Sequence, residues 1–215
     1  MRIKICGVTL AEDAARVAAA GADFIGLNFW PRSKRYVDSA RGAELAAAAR
    51  AAGPAAIVGV FVDATVEEIA AVHARVGLDV IQLHGAEPAA VAAAVARAAG
   101  RPVWKAIAAG GPSDLDGLDA WPVDALLLDA PTPEKGGSGR SFDWSLAAAA
   151  RAQNPARRII LAGGLHAGNV AAAIAAAEPW AVDVASGVEA APGIKDAGKV
   201  AAFVAAARAA AAGTE

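Results

Sequence analysis

Sulfur and aromatic side chains are scarce in this 215-residue chain, which has one cysteine (Cys6), one methionine, one tyrosine, five tryptophans and five phenylalanines. A lone cysteine cannot close an intramolecular disulfide, so a disulfide scaffold is excluded. An excess of one charge sign is missing too. Lys plus Arg number 20 against 22 Asp plus Glu, a net charge of −2. That balance leaves no electrostatic footprint for nucleic acid or an anionic membrane. Apolar runs of bilayer length are also lacking. The mean hydropathy of +0.40 comes from alanine-rich stretches such as 46–49 and 205–212, all interrupted by charged residues, Gly or Pro. The N-terminus turns acidic at Glu12 and Asp13, which leaves no room for the apolar stretch of a signal peptide. The expectation is a cytoplasmic protein, monomer or homodimer, whose partners are small molecules, with no nucleic acid and no membrane.

What is present is alternation. Short apolar or β-branched runs at 2–6, 24–28, 56–62, 80–84, 103–107, 125–129, 158–162 and 182–185 predict eight strands. Alanine-rich stretches at 11–20, 39–52, 66–75, 87–99, 144–152, 167–176 and 197–212 predict helices, since alanine has the highest intrinsic helix propensity. The stretch 112–120 is the weakest helix candidate. With no linker to divide it, the chain reads as one α/β domain over 1–215. Eight β-α units allow either an open doubly wound sheet or a closed (β/α)8 TIM barrel.

Internal repetition favours the barrel. Asp23, Asp79 and Asp124 each precede an even-numbered strand, and five residues after each stands a polar residue: Asn28, His84 and Asp129. This pattern either reflects general β-α resemblance or sets three polar groups on one rim. In a (β/α)8 barrel the C-terminal rim carries the active site, and the loops after strands seven and eight often bind phosphate.

Several rim positions carry chemistry. Lys4 and Cys6 share a face of strand one, with the thiol roughly 7 Å above the ammonium. That charge is expected to lower the thiol pKa and provide a thiolate base; the alternative is a small core residue. Asp129 ends the apolar run Leu126-Leu127-Leu128, where a low dielectric raises a carboxyl pKa and suits it to donate a proton; the alternative is a turn cap before Pro131. Segment 132–140, rich in Gly and Pro, reads as a flap beside Asp129 or as a plain loop. Loop 29–36 sets Arg32, Lys34 and Arg35 among Phe29, Trp30 and Tyr36, which suits a planar anionic aromatic ligand or a solvated basic surface. Gly163-Gly164 and Ser186-Gly187 follow the last two strands, where backbone amides can approach phosphate.

The order and spacing of Lys4-Ile5-Cys6-Gly7-Val8-Thr9, Ser33-x-Arg35-x-Val37, Gln82-Leu83-His84-Gly85, Leu127-Leu128-Asp129, Gly136-Gly137-Ser138-Gly139 leading to Phe142-Asp143-Trp144, Ala162-Gly163-Gly164-Leu165 and the run 182–189 resemble the phosphoribosylanthranilate isomerase family of tryptophan biosynthesis. The resemblance covers nearly the whole chain. It implies a (β/α)8 barrel that performs an Amadori rearrangement with no cofactor and no metal. It further implies Cys6 as general base and Asp129 as general acid, with Arg35 holding the anthranilate and amides around Gly163, Gly164, Ser186 and Gly187 holding the phosphate. His84 counts among the substrate-facing groups, and Asp183 either binds a sugar hydroxyl or orders the barrel interior beside an inward lysine. Ala185 and Trp30 stand where serine and tyrosine are frequent. The rivals are the two-aspartate isomerase of histidine biosynthesis, which would need a carboxylate in place of Cys6, and a non-catalytic phosphosugar-binding barrel.

Overall fold

Parallel strands flanked on both sides by helices need apolar side chains on both faces, and the strand runs of this chain supply them. In the computed structural model, which describes residues 1–130 and 142–212, β1 (Arg2–Cys6), β2 (Phe24–Asn28), β3 (Ala56–Phe61), β4 (Val80–Leu83), β5 (Val103–Ala108), β6 (Ala125–Asp129), β7 (Arg158–Leu161) and β8 (Ala181–Val184) form a closed parallel barrel. Arg2 to Ile5 pair in register with Ala181 to Val184, which closes the ring and excludes the open sheet.

Around the strands lie α1 (Ala11–Ala19), α2 (Ser39–Ala52), α3 (Val66–Val76), α4 (Ala89–Ala99), α5 (Trp144–Gln153), α6 (Val170–Ala177) and α7 (Ala197–Ala212). Alanines such as Ala14, Ala46, Ala49, Ala92, Ala147, Ala173 and Ala207 are buried on their inner faces, so helix backbones approach the sheet closely. The expected helix over 112–120 is replaced by two 3-10 turns, Pro112–Leu115 and Leu118–Ala120. The Asp114 carboxylate there accepts from the N–H groups of Gly110 and Gly111. Helix α4 starts two residues later than expected because Glu87 turns inward to meet Lys105 at 2.8 Å. Helix α6 likewise starts at Val170, three residues later than expected: 167–169 form a hydrogen-bonded turn, with the Asn169 side chain accepting from His166 N–H and donating to Gly164 C=O. Beyond β8, a 3-10 turn (Ser186–Val188) leads into an unanticipated hairpin of β9 (Glu189–Ala191) and β10 (Ile194–Lys195). The expected flap at 132–140 lies outside the described residues. Among the described residues no helix is long and apolar enough to cross a membrane.

The barrel interior is graded from floor to rim. At the N-terminal end Phe24, Trp104 and Trp180 pack edge-on or tilted, with centroids 4.9 to 5.9 Å apart. Arg2 and Arg158 lie over the Trp180 ring. Above this floor lie buried Lys4, Gln82 and Asp183, and above them Cys6, His84 and Asp129 reach the open end. Alternation along parallel strands produces this layering, because every second residue points inward.

The repeated aspartates turn out to be latches on the opposite rim. Asp23, Asp79 and Asp124 each accept a hydrogen bond of 2.8 Å from the backbone N–H of Ile3, Ile57 and Val103, and each returns its own N–H to the same residue's carbonyl. At the fourth equivalent place Trp180 N–H donates to Ile159 C=O, with no carboxylate to complete the latch. The repeat therefore ties odd strands to even ones, and the five-residue interval carries Asn28, His84 and Asp129 across to the functional rim. Replacing Asp124 with Ala would orphan the Val103 N–H and is expected to cost about 1 to 3 kcal/mol, read by urea unfolding, without changing substrate affinity at the far rim. Asn should recover part of the loss by supplying a neutral acceptor. A loss below about 0.5 kcal/mol would show that this latch is dispensable.

Candidate active site

At the C-terminal rim a cavity of about 610 Å³ brings together Cys6, Arg35, His84, Asp129, Gly163, Gly164, Asp183 and Ser186, eight of the nine positions singled out from the sequence. The ninth, Gly187, does not line it. Its α-carbon lies against the Leu165 carbonyl, where a Cβ would collide, so a glycine is needed for the two loops to pack this closely.

Asp129 ends β6 with its carboxyl almost fully buried. Loss of hydration pushes its pKa up to about 6; the neighbouring Asp183 charge adds to the rise, while the Ala130 N–H and the Lys4 charge oppose it. One oxygen accepts from Ala130 N–H at 2.8 Å, and the other lies 3.8 Å from His84 Nε2. His84 is in turn set by the Gln82 amide, 2.9 Å from its Nδ1. Gly163 has φ +86, and a Cβ there would come within 3.0 Å of the Asp129 carboxylate. Glycine thus keeps the space beside this acid open. A carboxyl that holds its proton to near neutrality can donate it.

Cys6 lies half-buried at the end of β1. The expectation that Lys4 would depress the thiol pKa is corrected in sign. Burial pushes it up, the Asp183 charge adds to that, and the Lys4 and Lys195 charges recover only part. Lys4 is wholly buried and donates to Asp183 at 2.9 Å. Desolvation alone would lower the Lys4 pKa, yet Asp183 and Cys6 together raise it, so the lysine stays an ammonium beneath the thiol. Asp183 thus does two things: it pairs with Lys4, and it presents a face to the cavity.

The basic loop after β2 is shaped by the Asn28 side chain, which accepts from Trp30 N–H. Arg35 enters the cavity wall from this loop with one edge of its guanidinium already engaged. Its Nε and Nη2 each donate at 2.7 Å to the two oxygens of Glu189. Lys195 donates at 2.8 Å to Glu189 Oε1, the oxygen that also takes Arg35 Nε, and it donates as well to the carbonyls of Cys6 and Ala185. Glu189 and Lys195 were not legible as functional residues, because Arg35, the partner of Glu189, lies 154 positions away and the hairpin joining Glu189 to Lys195 gave no periodic signal. Arg32 and Lys34 line the cavity as well, so its mouth is rich in cations. Among the described residues no group of three or more His, Cys, Asp or Glu is arranged to hold a metal ion.

Residues 3–206 match the family model described as N-(5'phosphoribosyl)anthranilate (PRA) isomerase. The curated N-(5'-phosphoribosyl)anthranilate isomerase of Solibacter usitatus (strain Ellin6076) is 47% identical over 215 residues, covering 98% of each chain. Among solved structures, phosphoribosyl anthranilate isomerase from Thermotoga maritima superposes with a TM-score of 0.88 at 39% identity, covering 97% of this chain and 99% of its own. A phosphoribosyl anthranilate isomerase in complex with reduced 1-(o-carboxyphenylamino)-1-deoxyribulose 5-phosphate gives a TM-score of 0.85 at 36% identity, with the same coverage.

The raised pKa of Asp129 has a measurable sign. Native Asp129 keeps its proton up to about pH 6, whereas an unfolded aspartate releases it near ~3.9. Between those values the native state binds more protons, so Asp129 makes the protein less stable as pH rises through that window, and the effect levels off above it. A carbon-13 titration of the Asp129 carboxyl should show a midpoint of about 6, and Asp129→Asn should flatten stability against pH across the same window. A native midpoint close to the unfolded value would contradict the assignment.

Proposed function

The chain belongs to the N-(5'-phosphoribosyl)anthranilate (PRA) isomerase family, and from that premise we propose that its rim cavity converts N-(5-phosphoribosyl)anthranilate to 1-(2-carboxyphenylamino)-1-deoxy-D-ribulose 5-phosphate, an aldose-ketose isomerisation of tryptophan biosynthesis. The observation that carries this reading is the meeting, in one cavity, of a carboxyl that keeps its proton to about pH 6 and a thiol over a buried ammonium. Asp129 donates its proton to the furanose ring oxygen. The anomeric C–O bond breaks as the nitrogen lone pair forms an iminium, and the ring oxygen leaves as a hydroxyl. The iminium acidifies the C2–H, and the Cys6 thiolate removes that proton to give the enolamine. Loss of the enol proton with reprotonation at C1 yields the aminoketose. One proton is given and one is taken, so exchange with water resets the pair.

The reactive state holds Asp129 protonated and Cys6 ionised, although Asp129 is the stronger acid of the two. Between their pKa values the fraction in that state does not change with pH, since each unit gained by the thiolate is lost by the acid. Lys4 beneath Cys6 enlarges that fraction by stabilising the thiolate. Positioned acid and base groups each supply about 10² to 10⁴ in rate.

The rest of the cavity serves recognition. Arg35 takes the anthranilate carboxylate with Trp30 near the ring, Asp183 and His84 face the sugar, and the Gly163, Gly164 and Ser186 backbone takes the phosphate. The Gly187 N–H, next to Ser186 in the same 3-10 turn, joins them at the phosphate. No resident metal or cofactor enters any step. The two-aspartate alternative from histidine biosynthesis fits less well, because a thiol occupies the β1 position where it needs a carboxylate. We place the reaction in the cytoplasm, with the protein a monomer or a homodimer.

Turnover is read by the loss of anthranilate-adduct fluorescence with purified protein and no added metal. Cys6→Ala should lower kcat at least about 100-fold while leaving folding and KM near wild type, and Asp129→Asn should do the same by removing the proton donor. A Cys6→Ala protein that kept more than roughly a tenth of wild-type kcat would remove the thiol from the base role. Normal turnover in Asp129→Asn would move the acid role to another group, with His84 the nearest.

A further inference from the structure

The carboxylate of Glu189 is the hub of a nearly dry ionic cluster, with side-chain exposures of 13% for Arg35, 5% for Glu189 and 1% for Lys195. It accepts from Arg35 Nε and Nη2, from Lys195 Nζ, and from Gly193 N–H at the hairpin turn. Burial alone would raise its pKa, but the hydrogen bonds from Arg35 and Lys195 outweigh that and hold it ionised. Gly7, with φ +74, lies directly under the Arg35 side chain, where a Cβ would overlap its Cδ. The arginine is therefore gripped at its head and confined along its stem.

We propose that Glu189 is a positioning residue for substrate recognition: it grips the Nε and Nη2 edge of Arg35 so that the remaining donors of the guanidinium face the cavity before any ligand arrives. The inference rests on the reading of Arg35 as the carboxylate clamp. An unheld arginine would have to lose several rotamers on each binding event, and a side chain fixed in advance gives up none. The cluster also tunes charge. Two cations share one anion, and Glu189 offsets only part of what opposes the Lys195 ammonium, whose pKa is lowered by burial first and also by the Arg35 charge. Lys195 extends the device to the neighbouring strand ends through the Cys6 and Ala185 carbonyls. A consequence for recognition follows: with its Nε–Nη2 fork occupied, Arg35 meets the substrate carboxylate through its outer edge.

A cycle of Glu189→Gln, Arg35→Ala and the double variant, each assayed on the anthranilate adduct and on the aniline adduct that lacks the carboxylate, separates positioning from simple support of the hairpin. Glu189→Gln should raise KM for the anthranilate adduct about tenfold with kcat changed less than about threefold. It should leave KM for the aniline adduct unchanged and add nothing further in the Arg35→Ala background. Glu189→Asp, which keeps the charge but shortens the reach, should restore part of the affinity, and it carries the same cycle if the Gln variant does not fold. An equal effect on both adducts, or an undiminished effect in the Arg35→Ala background, would overturn the proposal and leave Glu189 as a brace for the hairpin. A wild-type protein inactive on both adducts would instead bring down the isomerase reading, and this inference with it.

Discussion

A buried ion pair at the seam of the barrel sets the conditions for everything above it. Lys4 and Asp183 are register partners on β1 and β8, so both side chains point inward where the ring closes, and they meet at 2.9 Å. Desolvating two such charges costs as much as their attraction returns, so the pair is not a large net source of stability. Removing one partner is different, because it strands a charge in the interior at a cost of about 3 to 5 kcal/mol. The pair thus enforces one closure register, and its field reaches the rim. Lys4 counteracts the burial of Cys6, while the Asp183 charge raises the pKa of both Cys6 and Asp129. One interaction ties barrel closure to the proton inventory of the cavity.

Strand positions were readable from the chain because short apolar runs are local signals, while the closed order rested on the internal repeat and the family resemblance. The aspartate repeat was readable as a pattern but not as a mechanism. Asp79, for example, lies 22 positions after the Ile57 N–H that it receives, and only the parallel pairing of β3 with β4 makes them neighbours. Helix ends shifted where a side chain had other work: Glu87 left its expected helix to meet Lys105. The replacement of a helix by 3-10 turns after β5 follows from Gly110, Gly111, Pro112 and Asp114, which satisfy one another's backbone groups locally.

The site was legible in membership more than in electrostatics. Cys6 and Asp129 stood out because each interrupts an apolar strand at its end. The direction of the Asp129 shift follows from that placement alone, since an apolar wall disfavours a carboxylate. The Cys6 direction did not, because Lys4 and burial oppose each other and the outcome depends on depth and on Asp183, neither of which a linear pattern contains. Loop composition marked Arg32, Lys34 and Arg35 together and the family resemblance singled out Arg35, while Glu189, its partner across the cavity wall, ended the run 182–189 without any sign of that pairing. Long-range ion pairs escape a reading that relies on spacing.

The two ends of the barrel divide the labour. At the N-terminal rim the aspartate latches and the Phe24, Trp104 and Trp180 floor consist of satisfied groups, and nothing there faces the cavity. At the other rim a buried acid with a raised pKa, a desolvated thiol and a cation-rich mouth each carry an energetic cost that packing would not select. Such a site persists only on a scaffold that over-determines its backbone. The five-residue span between latch and rim links the halves. Asp124 anchors the start of β6 through Val103, and the intervening strand is apolar and buried. The register fixed at the floor therefore reaches Asp129 with no soft element between them, and the acid is held in place by the same strand that stabilises the fold.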